Sequence, residues 1–356
     1  MVTSEQVARE AGVSRATVSR VLNGSAHVSK ETKRRIYNAI AALGYDANTF
    51  VRSSSGERSQ LIALAMSSEN GLNFSHIADT NYYFYLEVLR QVEQAMVKEN
   101  YDLFLPSFSY NADNLLTSGI DAGNDIETNY ILTLQARRVA GVITMALPST
   151  DPRIQGLCRS SIPTVFLDSI YQGNRATYVK SDYVDGARQA TTHLLQLGHR
   201  RIAFFPGDPV AITGIERLLG HQQTMAQAGL IIDTNLVRQS GWNSKDAYQA
   251  AMTLLSERRD FTAIVAGSDM MAFGIMRALR KHNLRVPEDI SLIGFDGIEQ
   301  SEDVDPPLTT VRQDKHALSH GTIALLTRLI NAEETPAPLI VPTQLLVRAS
   351  TSAPPA

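Results

Sequence analysis

The chain has 356 residues, 44% hydrophobic and 19% charged, with a formal charge of −3. That length exceeds one ordinary core, so two or three globular domains are expected. No run of about 18 apolar residues and no signal-peptide pattern appears, which points to a cytoplasmic protein without a membrane partner, and the lone Cys158 excludes an intramolecular disulfide or a cysteine metal cluster.

The charge is unevenly spread. Residues 1–60 hold nine Lys/Arg against five Asp/Glu, a net +4, which leaves −7 for the rest. A basic head on an acidic body suits a head that meets phosphates. Thr3 and Gln6 form a capping-box pattern that opens a first helix with an apolar stripe of Val7, Ala8 and Ala11. Gly12 supplies a turn residue that tolerates positive φ. Ser14 is an N-cap for a second helix whose Val18, Val21 and Leu22 recur at inward-facing spacing. Arg15, Ala16, Thr17, Ser19 and Arg20 remain for the outer face.

This is a helix-turn-helix, in which the start of the second helix enters the major groove. Arg15 and Arg20 suit bidentate bonds to guanine, and Ala16 suits a thymine methyl. Thr17 and Ser19 suit phosphates, as does Asn23 in the following loop. Thr3, Ser14 and His27 complete the headpiece candidates for the DNA face. The plainer account of each is a cap or a solvated surface group. Ser29 caps a third helix running from Lys30 to Leu43, packed through Ile36, Ile40, Ala41 and Leu43. Residues 46–60 then form a serine-rich linker, expected to be flexible when unbound.

From Leu61 strands and helices alternate. Strands are expected at Leu61–Ala65, Tyr101–Leu105, Val139–Thr144, Thr164–Leu167, Arg201–Phe205, near 236–240, Ala263–Ala266 and Ser291–Gly294. Helices are expected at Tyr85–Lys98, 185–197, 216–228, 246–257 and 269–282, with 106–130 mostly loop. Such alternation predicts parallel sheets covered on both faces, in two similar halves facing a shared crevice. Ligands of such folds bind at the C-terminal ends of strands. Ser67, Asp168, Ser268, Asp269 and Asp296 are therefore candidates, each with turn formation or helix capping as the alternative.

The chain closely resembles the lactose/galactose-repressor family of bacterial transcription regulators. The resemblance is carried by Val7-Ala8-x-x-Ala11-Gly12-Val13-Ser14-x-x-Thr17-Val18-Ser19-Arg20-Val21-Leu22-Asn23, by Val286-Pro287-Glu288-Asp289-Ile290-Ser291-Leu292-Ile293-Gly294-Phe295-Asp296, and by Pro307-Leu308-Thr309-Thr310-Val311-Arg312-Gln313. It implies a small all-α headpiece over 1–45, a hinge over 46–60 and a two-lobed α/β periplasmic-binding-protein-like core over 61–356. The N-lobe is expected at 61–168 and 297–330, and the C-lobe at 169–296 and 331–350. It also implies a homodimer on pseudo-palindromic operator DNA, with a small effector between the lobes changing their angle.

Arg15, Ala16 and Arg20 fall at the family's base-reading positions, Arg217 and Asp296 at effector-binding ones, and Trp242 where sugar-responsive members place an aromatic. Ser67, Asp168, Ser268, Asp269 and Gln313 line the same cleft by position. Tyr83 and Phe84 fall in the aromatic segment at its mouth. Carboxylates and an Arg suit paired sugar hydroxyls, and a Trp face suits a pyranose; a nucleobase satisfies the same set. Two departures stand out. The family's minor-groove wedge is a leucine, but Ser54 occupies that place, so a weaker kink or a wedge moved to Val51 is expected. Segments 69–80 and 106–130 are longer than usual.

The tail after Arg348 has no leucine heptad, which favours a dimer over a tetramer. The leading expectation is a repressor of sugar-utilisation genes. The alternatives are a regulator with a nucleobase or other metabolite co-repressor and, far behind, a solute-binding protein. The chain carries none of the common hydrolase, P-loop or zinc-protease motifs, so neither catalysis, a cofactor nor a metal is expected. His193 and His199 read as helix-end or surface residues.

Overall fold

A computed structural model describes residues 3–22, 28–43, 59–66, 82–105, 122–145, 147–331 and 334–355. The candidates Asn23, His27, Val51, Ser54 and Ser67, with all of segment 69–80, lie outside them.

The headpiece forms three helices, Ser4–Glu10, Arg15–Leu22 and Lys30–Leu43. The first starts where the capping box predicts: Gln6 N donates to Thr3 Oγ1 at 3.3 Å, and Thr3 N donates to Gln6 Oε1 at 2.8 Å. Gly12 turns the chain at φ +62. Val7, Val18 and Ile36, one from each helix, are fully buried in one small core with Ala8, Val21 and Ile40. Arg35 tightens this arrangement, donating from Nη2 to the carbonyls of Ala11 at 2.5 Å and Gly12 at 3.1 Å. The carbonyls ending the first helix thereby gain a charged donor from the third.

The core holds two sheets. The first has the order β10-β5-β4-β3-β1-β2, built from β1 (Leu61–Met66), β2 (Asp102–Phe104), β3 (Gly141–Met145), β4 (Thr164–Leu167), β5 (Ala176–Ser181) and β10 (Leu339–Val341), all parallel. The second has the order β11-β9-β8-β7-β6, with β6 (Ile202–Phe205), β7 (Ala263–Ala266), β8 (Ser291–Asp296) and β9 (Thr309–Gln313) parallel and β11 (Thr343–Leu346) antiparallel to β9. The predominantly apolar sequences of β1, β3, β4, β6 and β7 suit strands buried on both faces. Helices Tyr82–Lys98 and Lys315–Ile330 cover one face of the first sheet, and Ala122–Ala136 and Pro152–Arg159 the other. In the second sheet the covering pairs are Ser244–Glu257 with Asp269–Lys281, and Tyr183–Gln196 with Ile212–Gln227.

The pairings move the lobe boundaries from those expected. β5 pairs with β4 from Thr164↔Ala176 to Leu167↔Val179, so the chain leaves the N-lobe after Ser181 and not near 169. It returns after Gln313, because β9 still pairs with β8, and crosses again between Val341 and Thr343 instead of near 330. Thr177, Lys180 and Ser181 dilute the apolar pattern of β5 and hid it as a strand. Near 236–240 only a 3-10 turn, Thr234–Leu236, and a single bridge from Val237 to Phe204 form. The apolar pair there is too short to sustain a ladder before Arg238, Gln239 and Ser240. Of the segment 106–130, expected to be mostly loop, residues 106–121 lie outside the described residues, and Ala122 onwards is a helix whose Tyr130 and Leu134 are fully buried.

The C-terminal tail is a packed strap on the C-lobe. Leu292 N donates to Ser350 O at 2.8 Å, Ser350 Oγ donates to Leu292 O at 2.6 Å, and Thr309 N donates to Ser350 Oγ at 2.8 Å. His199 is correspondingly buried instead of superficial, with Nε2 at 2.9 Å from Ser352 O and Nδ1 at 2.8 Å from Thr262 Oγ1. His193 reaches Thr351 Oγ1 at 3.0 Å. Ser350→Ala leaves the Thr309 amide without its buried partner, and urea denaturation is expected to show a loss of about 1–3 kcal/mol.

Candidate functional site

Parallel strands end together, so residues just past their C-termini meet in the crevice between the lobes. A cavity of about 570 Å³ lies there, within the ordinary range for small-molecule sites. Seven of the expected cleft residues line it: Phe84, Asp168, Arg217, Trp242, Ser268, Asp296 and Gln313.

Arg217 organises the inner end. It is on helix Ile212–Gln227, only 4% exposed, and its guanidinium carbon lies 4.1, 4.6 and 5.1 Å from the ring centroids of Phe295, Tyr183 and Trp242. Its Nη2 is 3.6 Å from Asp296 Oδ1, an ion-pair distance longer than a hydrogen bond, and its buried Nε has no hydrogen-bond partner among the described residues. Trp242 in turn packs flat against Gly207, which is at φ +90; a Cβ there would come within 2.5 Å of the indole.

Asp296 ends β8 with φ +114 and accepts from Gln313 Nε2 at 2.8 Å. Gln313 Oε1 accepts from Ser181 Oγ at 2.6 Å, which fixes the amide orientation and joins the two lobes. Asp168, at φ +57 beyond β4, accepts from the Tyr183 hydroxyl across the same divide, and from Tyr85 within its own lobe. Burial raises the Asp168 carboxyl, while Tyr183 and Arg217 pull it back. Lys180 of β5 forms a buried ion pair with Glu216, again between lobes.

Three expected residues have other roles. Asp269 is fully buried and does not line the cavity. Its Oδ2 accepts from Ile298 N at 2.9 Å and its Oδ1 from Thr310 Oγ1 at 2.5 Å, so it stitches helix Asp269–Lys281 to the strands beside it. Tyr83 packs against the N-lobe core, and it is Phe84 and Tyr85 that reach the cavity. Ser268 touches the cavity, but its Oγ caps the helix by accepting from Met271 N at 3.1 Å.

Sequence reasoning missed Tyr85, Tyr183, Tyr171, Asn243 and Asp208 on the lining. Tyr183 was findable, since it follows β5 at once, but only with that strand identified.

On the headpiece, Arg15, Ala16, Ser19 and Arg20 are exposed, Thr17 is half-buried, and Val18 and Val21 face inward as their spacing predicts. Ser14 Oγ accepts from Thr17 N at 3.2 Å and lies 2.8 Å from Thr17 Oγ1, so both hydroxyls lie at the helix start. Thr3 is exposed within its capping box.

Residues 4–48 match the model of bacterial regulatory proteins of the lacI family, and residues 191–351 match a periplasmic binding protein-like domain. The HTH-type transcriptional regulator CelR of Thermobifida fusca is 32% identical, over 98% of each chain. Catabolite control protein A of Priestia megaterium is 29% identical over 98% of this chain and 99% of its own. The HTH-type transcriptional repressor PurR of Haemophilus influenzae (strain PittEE) is 31% identical over 94% and 93%. Among solved structures, a CelR–cellobiose complex superposes with a TM-score of 0.71 at 30% identity, covering 98% of this chain and 100% of that one. A lac repressor dimer bound to operator and the anti-inducer ONPF gives 0.68 at 28%, covering 99% of both.

Burial raises the carboxyls of both Asp269 and Asp296; repulsion from Asp296 raises Asp269 further, whereas Arg217 draws Asp296 back. A carboxyl with a raised folded pKa holds its proton longer when folded, so its stabilisation is full below the ordinary carboxylate range and lost as pH rises through the folded value. Asp269→Asn removes one such group. The fall in the urea midpoint between about pH 5 and about pH 8 is expected to be smaller in this variant than in the wild type.

Proposed function

The chain belongs to the LacI family of bacterial regulatory proteins and is a DNA-binding transcription regulator, and from that premise we propose that it is a cytoplasmic homodimeric repressor controlled by an uncharged sugar bound between its lobes. The charge balance of the cavity carries this reading. Among the described lining residues the acids are Asp168, Asp208 and Asp296 and the one cation is Arg217; Asp208 accepts from Val210 N within its own loop, and Asp296 lies 3.6 Å from Arg217. Lys180 is paired with Glu216, and Lys315 with Glu87 at 2.6 Å, so neither adds a free positive charge. A phosphate or carboxylate ligand finds one guanidinium, already opposed by Asp296, and no second cation among the described lining residues. A polyhydroxyl ligand meets carboxylate acceptors, a guanidinium donor with an unused Nε, and an indole face. The CelR complex contains cellobiose, a ligand of this chemistry.

The contacts Tyr183–Asp168, Ser181–Gln313 and Lys180–Glu216 span the lobes beside this cavity. A ligand that binds among them has different contacts in different lobe arrangements, which is the condition for shifting their populations. Through the dimer the lobe angle sets the separation of two headpieces, whose Arg15, Ala16 and Arg20 read base edges while Thr17 and Ser19 hold phosphates.

A thermal-shift screen of neutral sugars, sugar phosphates and nucleobases tests the effector. A neutral sugar at about 100 times its Kd is expected to stabilise the protein by about 2.7 kcal/mol, and Arg217→Ala and Asp296→Ala are expected to abolish the shift. Stabilisation by a nucleobase with no response to any sugar replaces the sugar reading. In operator titrations, Arg20→Ala is expected to lose about 1–3 kcal/mol of discrimination while retaining much of its non-specific binding.

A further inference from the structure

Helix Lys315–Ile330 begins two residues after Gln313, which links the lobes, and carries two histidines four positions apart, His316 and His320. Residues at that spacing stand one above the other on a single helical face. The two rings are stacked, with centroids 3.8 Å apart and planes inclined by 20°. His316 is exposed and His320 half-buried, and neither lines the cavity between the lobes.

The hydrogen bonds around the pair prepare it for a cation. His320 Nδ1 lies 3.1 Å from the carbonyl oxygen of His316. A carbonyl only accepts, so Nδ1 carries the proton, and in the neutral ring Nε2 holds the lone pair. A backbone carbonyl that occupies one ring nitrogen and orients the other is the common support of a metal-binding histidine. The ring nitrogens of His316 have no hydrogen-bond partner among the described residues. The adjacent positive charge is drawn away: Lys315 Nζ lies 2.6 Å from Glu87 Oε2 and donates to Gly297 O at 2.8 Å. A helix start is the positive end of the dipole, and exposed Asp314, which caps this one by accepting from Ala317 N at 2.9 Å, supplies the opposing charge.

We propose that His316 and His320 form a two-imidazole binding site for a divalent transition metal of the class that suits imidazole, Cu2+, Ni2+ or Zn2+. No group of three or more His, Cys, Asp or Glu is placed to hold a metal among the described residues, so water completes the coordination. The run His316-Ala317-Leu318-Ser319-His320 has the histidine spacing of the helical zinc-protease motif without its glutamate. It therefore escapes that pattern in the sequence, and it offers binding without a hydrolytic base. A bound ion ties together the first turn of the helix that follows the second crossing between the lobes. The site is independent of the effector reading.

The test uses the full-length protein without an affinity tag, treated with a chelator and dialysed. Isothermal titration with CuCl2 and ZnCl2, and with MgCl2 as the control, reads affinity and stoichiometry. One Cu2+ per chain is expected, bound more tightly than Zn2+, with no response to Mg2+, which prefers oxygen ligands. His316→Asn and His320→Asn are each expected to weaken Cu2+ binding by about tenfold or more, with an unchanged circular dichroism spectrum. Electron paramagnetic resonance of the Cu2+ complex is expected to show coupling to two imidazole nitrogens in the wild type and to one in either variant. No Cu2+ isotherm at about 100 µM metal overturns the site. So does an isotherm unchanged in either variant, which marks an adventitious ion elsewhere on the chain.

Discussion

A guanidinium held out of water is the constraint around which the cleft is arranged. Arg217 is nearly inaccessible, yet its salt bridge with Asp296, at 3.6 Å, is longer than a hydrogen bond. A buried charge left uncompensated is costly. Here the compensation is distributed: three aromatic rings within about 5 Å supply negative faces, and Asp296 supplies opposite charge at 3.6 Å. Those rings come from separate elements, Tyr183 at a helix start, Trp242 in a loop and Phe295 in β8. Placing Arg217 therefore fixes the inner walls of the cavity. It also leaves one donor, Nε, without a partner among the described residues.

The connections between lobes give this pocket mechanical meaning. The chain crosses three times, and the first two crossings, at Ser181 and Gln313, are joined by a hydrogen bond between those two residues. Gln313 then holds Asp296, and Asp296 faces Arg217. Charge placement at the proposed effector site is thus tied directly to the segments that connect the lobes. The headpiece is organised by different physics, a small apolar core with caps and one arginine clamp, and leaves a hydroxyl-rich basic face on its second helix.

The parts legible in the sequence were those governed by short-range rules. The capping box at Thr3, the turn at Gly12 and the inward spacing of Val18 and Val21 formed as their local chemistry requires. The apolar strands β1, β3, β4, β6 and β7 announced a parallel α/β core, and seven cleft residues followed from strand ends and family motifs. The illegible parts depended on partners distant in sequence. β5 is recognisable only from its pairing with β4 and β10, and missing it displaced the first crossing. Asp269 resembled a cleft acid because it follows a strand, but Ile298 and Thr310 claim both its oxygens.

The sequence by itself determined that this is a basic helix-turn-helix head on an acidic, doubly wound body, because helical and strand periodicities and capping patterns act over a few residues. Only the tertiary structure decided which acids face the cavity, which tyrosine bridges the lobes and where the lobes exchange chain. Those outcomes rest on burial, and on which distant group first satisfies a polar atom once water is excluded.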